Sequence, residues 1–172
     1  MKKETFSLMI GIAVPLVFVL IVIISSLLPS LLVKPQHDFV FSVNNDGYYG
    51  VCFENEFAIV DGRLSSVPNT VKCRQGATMQ ANPPLYYYSV EADTVKKISL
   101  ADVADTAFVA GPSSPDGYTV TFEYGNYSFG IFGGGGGTEG YFIGNQKGKK
   151  RLEGISAITR YNSDIQVVGW VQ

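Results

Sequence analysis

Histidine, cysteine and tryptophan are scarce in this chain of 172 residues: there is one His, two Cys and one Trp. Two cysteines and His37 cannot supply the four-ligand shell of a structural zinc site. A serine hydrolase needs a base for its nucleophile, and the one imidazole present comes directly after a long apolar run. No Gly-x-Ser-x-Gly elbow occurs, and no Gly-Lys-Ser/Thr phosphate loop. Positive charge is not in excess either, because the formal net charge is -2. With Lys2, Lys3 and Glu4 set aside, 11 Lys plus Arg face 14 Asp plus Glu. That balance argues against nucleic acid as a partner and provides no broad basic surface.

Charge itself is missing from Thr5 to Val33, a run of 29 residues. A helix of about 20 apolar residues crosses the hydrocarbon core, so the run predicts a transmembrane signal-anchor helix over residues 6–33. Pro15 and Pro29 lie near its two ends and leave Leu16 to Leu28 unbroken. Lys2 and Lys3 precede the run and only Lys34 comes closely after it, which by the positive-inside bias keeps residues 1–5 in the cytoplasm. Residues 34–37 then form a juxtamembrane linker, and residues 38–172 an extracytoplasmic domain of the cell envelope. A cleaved secretory signal is the rival reading, but the run is long for a signal core and lacks an A-x-A-like site. A pilin-like subunit is a third, since Thr5-Phe6-Ser7-Leu8 opens an apolar helix ahead of a β-rich region. It lacks the glycine before the phenylalanine and the glutamate shortly after it.

The chain beyond Val33 is rich in aromatic residues and glycine and shows no long helical periodicity, a composition that predicts all-β structure. Strands are expected at residues 38–43, 48–53, 56–60, 63–67, 85–90, 95–99, 118–124, 127–132, 140–144 and 165–171. Asp61-Gly62 between two apolar runs is the clearest hairpin turn, because that dipeptide tolerates positive φ. Two further hairpins are expected through Glu91–Thr94 and through Lys147-Gly148. Ser99 can cap a helix of at most two turns with Asp102 three residues on. Pro68 to Pro84 reads as a long loop that Cys73 ties back to the sheet. Cys52 and Cys73 are expected to pair as a disulfide in an oxidising compartment, closing a loop worth about 3 kcal/mol in the chain-entropy model. Two free, buried thiols are the alternative.

Asp46-Gly47-Tyr48-Tyr49-Gly50-Val51-Cys52-Phe53-Glu54 aligns with Asp116-Gly117-Tyr118-Thr119-Val120-Thr121-Phe122-Glu123 if Gly50 is skipped as a bulge. The segment LYYYSVEADTVKKIS, followed by Ser114-Pro115-Asp116-Gly117-Tyr118-Thr119-Val120, resembles the repeat of TolB-type β-propellers. The resemblance covers residues 85–152 and implies a hairpin, a Ser-Pro-Asp-Gly turn and a strand in each blade. A closed propeller needs about four blades, and the chain after Val33 holds about three of the usual length. The expected architecture is therefore short antiparallel meanders, propeller-like but incomplete, with a β-sandwich as the alternative. As a whole the chain also resembles membrane-anchored bacterial proteins of no assigned activity, which implies no function.

Pro115, Asp116 and Gly117 make a structural turn on physical grounds alone, through fixed φ, a side-chain acceptor and free φ in succession. Gly133, Gly134, Gly135, Gly136 and Gly137 predict a mobile loop. They lack the lysine and the helix of a phosphate cradle, so no nucleotide is expected. Asp105-Thr106-Ala107 resembles the aspartic-protease turn but occurs once. Glu54, Glu56, Asp61, Asp116 and Glu123 could furnish a paired-carboxylate hydrolase if two stood about 5–10 Å apart; acids facing water on alternating strand positions are the plainer reading. Asn44-Asn45-Asp46-Gly47 reads as a turn, since it lacks the spaced acids and distal Glu of a calcium loop. Lys147, Lys149, Lys150 and Arg151 could meet anionic lipid or acidic polymer, or form a solvated hairpin tip. Tyr86, Tyr87 and Tyr88 must alternate between faces, and exposed rings there could stack on sugars or anchor a partner; burial between two layers is the alternative. Asn126-Tyr127-Ser128 fits a glycosylation acceptor. No cofactor or metal is expected. The leading expectation is a non-enzymatic interaction or scaffold module for an envelope protein or polymer, with an envelope hydrolase as the competing class.

Overall fold

The computed structural model describes residues 11, 13–24, 33–44, 51–73, 75–123, 139–156, 158–159 and 164–172. The fold is mostly β and its sheets are largely antiparallel. The strands are β1 (Phe39–Asn44), β2 (Val51–Phe53), β3 (Asn55–Val60), β4 (Arg63–Pro68), β5 (Thr78–Gln80), β6 (Leu85–Ser89), β7 (Thr94–Ile98), β8 (Phe108–Ala110), β9 (Thr119–Glu123), β10 (Gly140–Asn145), β11 (Gly148–Arg151) and β12 (Asp164–Val171). A five-stranded sheet in the order β7-β6-β1-β12-β8 forms the centre.

The alternation of β1 explains why this sheet is covered on both faces. Phe39, Phe41 and Val43 point one way and join Tyr88, Tyr118, Tyr141, Ile143, Leu152, Ile155 and Trp170. Val40 points the other way and joins Phe57, Leu85, Val103, Phe108 and Val168. Phe39, Val40, Phe41 and Val43 are thus all inside, with Ser42 buried among them, as a strand covered on both faces requires. The first face is covered by the sheet β11-β10-β9 and by a short helix, Glu153–Ser156; the second by the β3-β4 hairpin and a 3-10 turn at Leu100–Val103.

In β12 the sequence pattern and the burial pattern agree only because of a bulge. Phe39 pairs with Trp170 and Val40 with Gly169, but Phe41 pairs with Val167, so Val168 is the extra residue. Strict alternation would place Ile165 and Val167 on the face opposite Trp170. The bulge shifts the phase by one residue and brings all three against the same cluster. Gly169 belongs to the same adjustment. A Cβ there would lie 2.8 Å from Cδ1 and Cγ1 of Ile59, so its bare backbone is what lets β3 lie against the sheet.

Asp61 and Gly62, with φ of 51° and 75°, turn β3 into β4 as the Asp-Gly signal requires. The hairpin β6-β7 turns over Asp93, also at positive φ, and β10-β11 turns over Gln146 and Lys147. Cys52 and Cys73 stand at disulfide-bonding distance, with Cα atoms 5.8 Å apart.

Several expectations need correction. Pro68 to Pro84 is not all loop: β5 lies within it and pairs in parallel with β2, an arrangement that the nearby cysteine pair restrains. Phe108–Ala110 is an unanticipated strand, too short to show alternation, held by β12 and by a bond from Phe108 N to Gly62 O. The helix at Ser99 is a single 3-10 turn, with Asp102 accepting from both Ser99 N and Ser99 Oγ at 2.7 and 2.8 Å. Those two bonds hold the Asp102 carboxyl below its usual pKa. Among the described residues, no helix is long and apolar enough to cross a membrane. Residues 13–24 are helical with exposed apolar side chains, and the other positions of the expected 6–33 span, apart from Gly11 and Val33, lie outside the described residues. No four-stranded meander of consecutive strands, as a propeller blade requires, occurs among the described residues. The strand at 127–132, most of the first repeat copy, Asn45-Asp46-Gly47, the acceptor Asn126-Tyr127-Ser128 and the glycines 133–137 lie outside them too.

Candidate functional site

The Ser114-Pro115-Asp116-Gly117 turn is built as its residues dictate. Gly117 takes φ of 82° and its N-H donates to Ser114 O at 2.9 Å. The buried Ser114 hydroxyl accepts from Tyr118 N at 2.8 Å and donates to Asp116 Oδ1 at 2.5 Å. This leaves Asp116 Oδ2 to accept the backbone N-H of Gln36 at 2.9 Å. Beside it the buried Tyr118 accepts Lys34 N-H on its hydroxyl at 3.3 Å. The turn therefore grips residues far away in sequence, which its generic turn chemistry gave no reason to expect.

Those residues form a strap across one end of the central sheet. Val33 is buried in the first core cluster at 4 % exposure. His37 Nδ1 lies 2.8 Å from Val171 O, and since a carbonyl only accepts, Nδ1 carries the proton. Val171 N-H donates to Asp38 O at 2.8 Å. The Asp38 carboxylate accepts Val90 N-H at 2.7 Å and the Tyr87 hydroxyl at 2.5 Å. Burial, with the Asp38 bond and charge added, pushes the Tyr87 hydroxyl pKa upward. Residues 34–37, expected as a juxtamembrane linker, are bonded to the domain through Lys34 N, Gln36 N and His37. Asp38 is the functional-looking residue that the sequence did not reveal, since its partners are distant and its type is ordinary.

Between strap and sheet lies a cleft of about 510 Å³, lined by Val33, Lys34, Gln36, Val90, Glu91 and Lys150 among others. Lys34 and Glu91 are exposed at its border, one cationic and one anionic. Lys150 Nζ stands 3.3 Å from Asp93. No protein-family model, curated protein or solved structure matches the chain. The site therefore has to be read from its own chemistry.

The remaining sequence candidates are dispersed. Tyr88 is buried at 1 % exposure and donates to Asp93, while Tyr86 stacks on Phe41 at 5.5 Å and Tyr87 faces the opposite cluster. The three rings thus serve both layers, and Tyr88 offers no outer surface. Burial, followed by the Asp93 bond, raises the Tyr88 hydroxyl pKa. The basic run is not an open patch: Lys149 pairs with Glu123, Lys150 with Asp93 and Arg151 with Glu153, and only Lys147 is exposed. Lys149 also lies 5.2 Å over the Phe142 ring. Among the candidate acids, Asp116 and Glu123 hold these structural partners, while Glu54, Asp61 and Asp105 are exposed. No group of three or more His, Cys, Asp or Glu side chains that could hold a metal occurs among the described residues.

Proposed function

We propose that the chain is a membrane-tethered, extracytoplasmic β-domain that serves as a non-enzymatic interaction or scaffold module of the cell envelope. The observation that carries this reading is the helix at residues 13–24. Its large apolar side chains are exposed all around, from Val22 at 40 % to Phe18 at 68 %. A helix apolar on every side belongs either in a core or in lipid, and this one sits inside the uncharged run Thr5–Val33. The strap supports the scaffold part of the reading. A domain gripped at its own linker is presented at a set position beside its tether, which favours holding a partner over roaming for one. The partner is an envelope protein or polymer.

The acids that a paired-carboxylate hydrolase would draw on include Asp116 and Glu123, both engaged in structural bonds. The test is crosslinking in intact membranes followed by affinity capture of the full chain. Recovery of a discrete envelope protein or wall polymer is the expected result. Recovery of lipid alone counts against the scaffold, and extraction of the chain by alkaline carbonate counts against the tether.

A further inference from the structure

We infer that the cleft beside the strap takes the headgroup of a zwitterionic phospholipid, an inference that rests on the tether just proposed. Three observations converge on it. First, Lys34 is the first charged residue after the run Thr5–Val33. If that run spans the bilayer, Lys34 lies in the polar headgroup layer, which is about 5–8 Å deep on each side. Second, the residues around Lys34 cannot drift away from that level independently of the domain. Val33 is buried in the core, and Lys34 N, Gln36 N, His37 and Asp38 are bonded to Tyr118, Asp116, Val171 and Val90 of the domain. The cleft that the strap lines is therefore held at the same depth. Third, the volume of about 510 Å³ falls within the range of about 300–1,000 Å³ typical of sites for small ligands.

The charge distribution selects the ligand class. Two lysines, Lys34 and Lys150, line the cleft, and a phosphodiester is the abundant anion of the headgroup layer. Lys150 has three N-H donors and shares them with Asp93, so it can meet a phosphate oxygen without leaving its partner. Glu91, Asp38 and Asp93 oppose a headgroup that is only anionic. The Asp38 oxygens already accept Val90 N-H and the Tyr87 hydroxyl, which leaves Glu91 as the exposed carboxylate for an ammonium. A phosphate with an amine on a short arm satisfies both signs, and phosphatidylethanolamine has that form. Val33 and Val90 at the cleft wall suit the glycerol end of such a lipid.

The test uses the full chain reconstituted in vesicles of phosphatidylethanolamine and phosphatidylglycerol, compared with Lys34→Gln, Lys150→Gln and Glu91→Gln. Flotation with the vesicles reads the tether, and lipid retained on the protein in native mass spectrometry after detergent extraction reads the cleft. Retained phosphatidylethanolamine should fall roughly fivefold with each lysine removed, as for the loss of one charged contact near a lipid surface. Glu91→Gln should abolish the preference for phosphatidylethanolamine, lowering its retention and raising that of phosphatidylglycerol as the opposing charge is removed. Displacement by millimolar inorganic phosphate would show a free-anion site and overturn the headgroup assignment. Equal retention in all four proteins, with normal flotation, overturns the cleft alone. Failure of the wild-type chain to float overturns the tether on which both depend.

Discussion

Replacing Gly169 by alanine sets two effects of opposite sign against each other. Glycine inside a strand costs about 0.5–1 kcal/mol relative to alanine through its greater freedom when unfolded. On that ground alone Gly169→Ala should stabilise the domain. The structure says otherwise, because the new Cβ would meet Ile59 Cδ1 and Cγ1 at 2.8 Å and the Val109 carbonyl oxygen at 3.2 Å. Overpacking of this kind costs about 1–3 kcal/mol. The Ile59 contacts, under 3 Å, carry most of this cost, because Cγ1 lies close to the β3 backbone and cannot swing clear as a chain end can, whereas the Val109 oxygen needs to give by only a few tenths of an ångström. The net expectation is a loss of about 1–2 kcal/mol. With a urea slope of about 2 kcal/mol per molar, the middle of the usual range, the unfolding midpoint drops by roughly 0.5–1 M. Trp170, the sole tryptophan and fully buried, reports the transition by fluorescence. Ile59→Ala removes the clashing atoms, so in that background the alanine should add at most about 0.5 kcal/mol of loss, a coupling of about 1 kcal/mol or more. A midpoint that rises in Gly169→Ala, or losses that simply add in the double variant, would refute the packing account.

Reduction of the cysteine pair, or Cys52→Ser with Cys73→Ser, should lower stability by about 3 kcal/mol, given a separation of 21 residues; an unchanged midpoint under reductant counts against a bond. Tyr87 and Tyr88 have raised pKa values in the folded state, so the fold binds protons that the unfolded chain releases. Their stabilisation is complete below the unfolded value of 10.0 and is lost as pH climbs above it. Alkaline unfolding should therefore be steeper than in Tyr87→Phe or Tyr88→Phe, each of which removes up to about 1.4 kcal/mol per pH unit from the slope; matching slopes would show that these hydroxyls titrate normally. Asp116→Ala should cost about 1–2 kcal/mol and, in hydrogen exchange, deprotect Gln36 N-H before the central strands; continued protection at Gln36 would mean that the strap does not depend on this turn.

The local grammar of the fold was legible in the sequence and its long-range wiring was not. Asp61-Gly62 announced a hairpin because the turn chemistry resides in the two residues themselves. Tyr86, Tyr87 and Tyr88 announced alternation, and the two faces followed once both were found covered. The cysteine pair followed from their number and their position after the apolar run. Strands β5 and β8 went unseen because three residues carry no period, and their existence depends on partners elsewhere. The resemblance of Ser114-Pro115-Asp116-Gly117 to a propeller turn rested on local geometry, and that geometry is present with no four-stranded blade among the described residues. The strap was hidden for the same reason. An aspartate at position 38 looks like any other surface acid until Val90 and Tyr87 are folded against it.

The placement of β1 at the middle of the central sheet also dictates an order of assembly. Its two neighbours are β6 and β12, so Phe39 must wait for Tyr88 on one side and for Trp170 on the other. Loop closure over that distance is slow, and until it happens a strand destined for burial on both faces has an unsatisfied edge. A chain that appears amino end first thus presents FVFSV unpaired until β6 is made, and with one edge open until β12 follows. Unpaired edges of this kind are what chaperones cover and what aggregation exploits. The strand nearest the strap is the first of the β-strands to emerge and among the last to be secured.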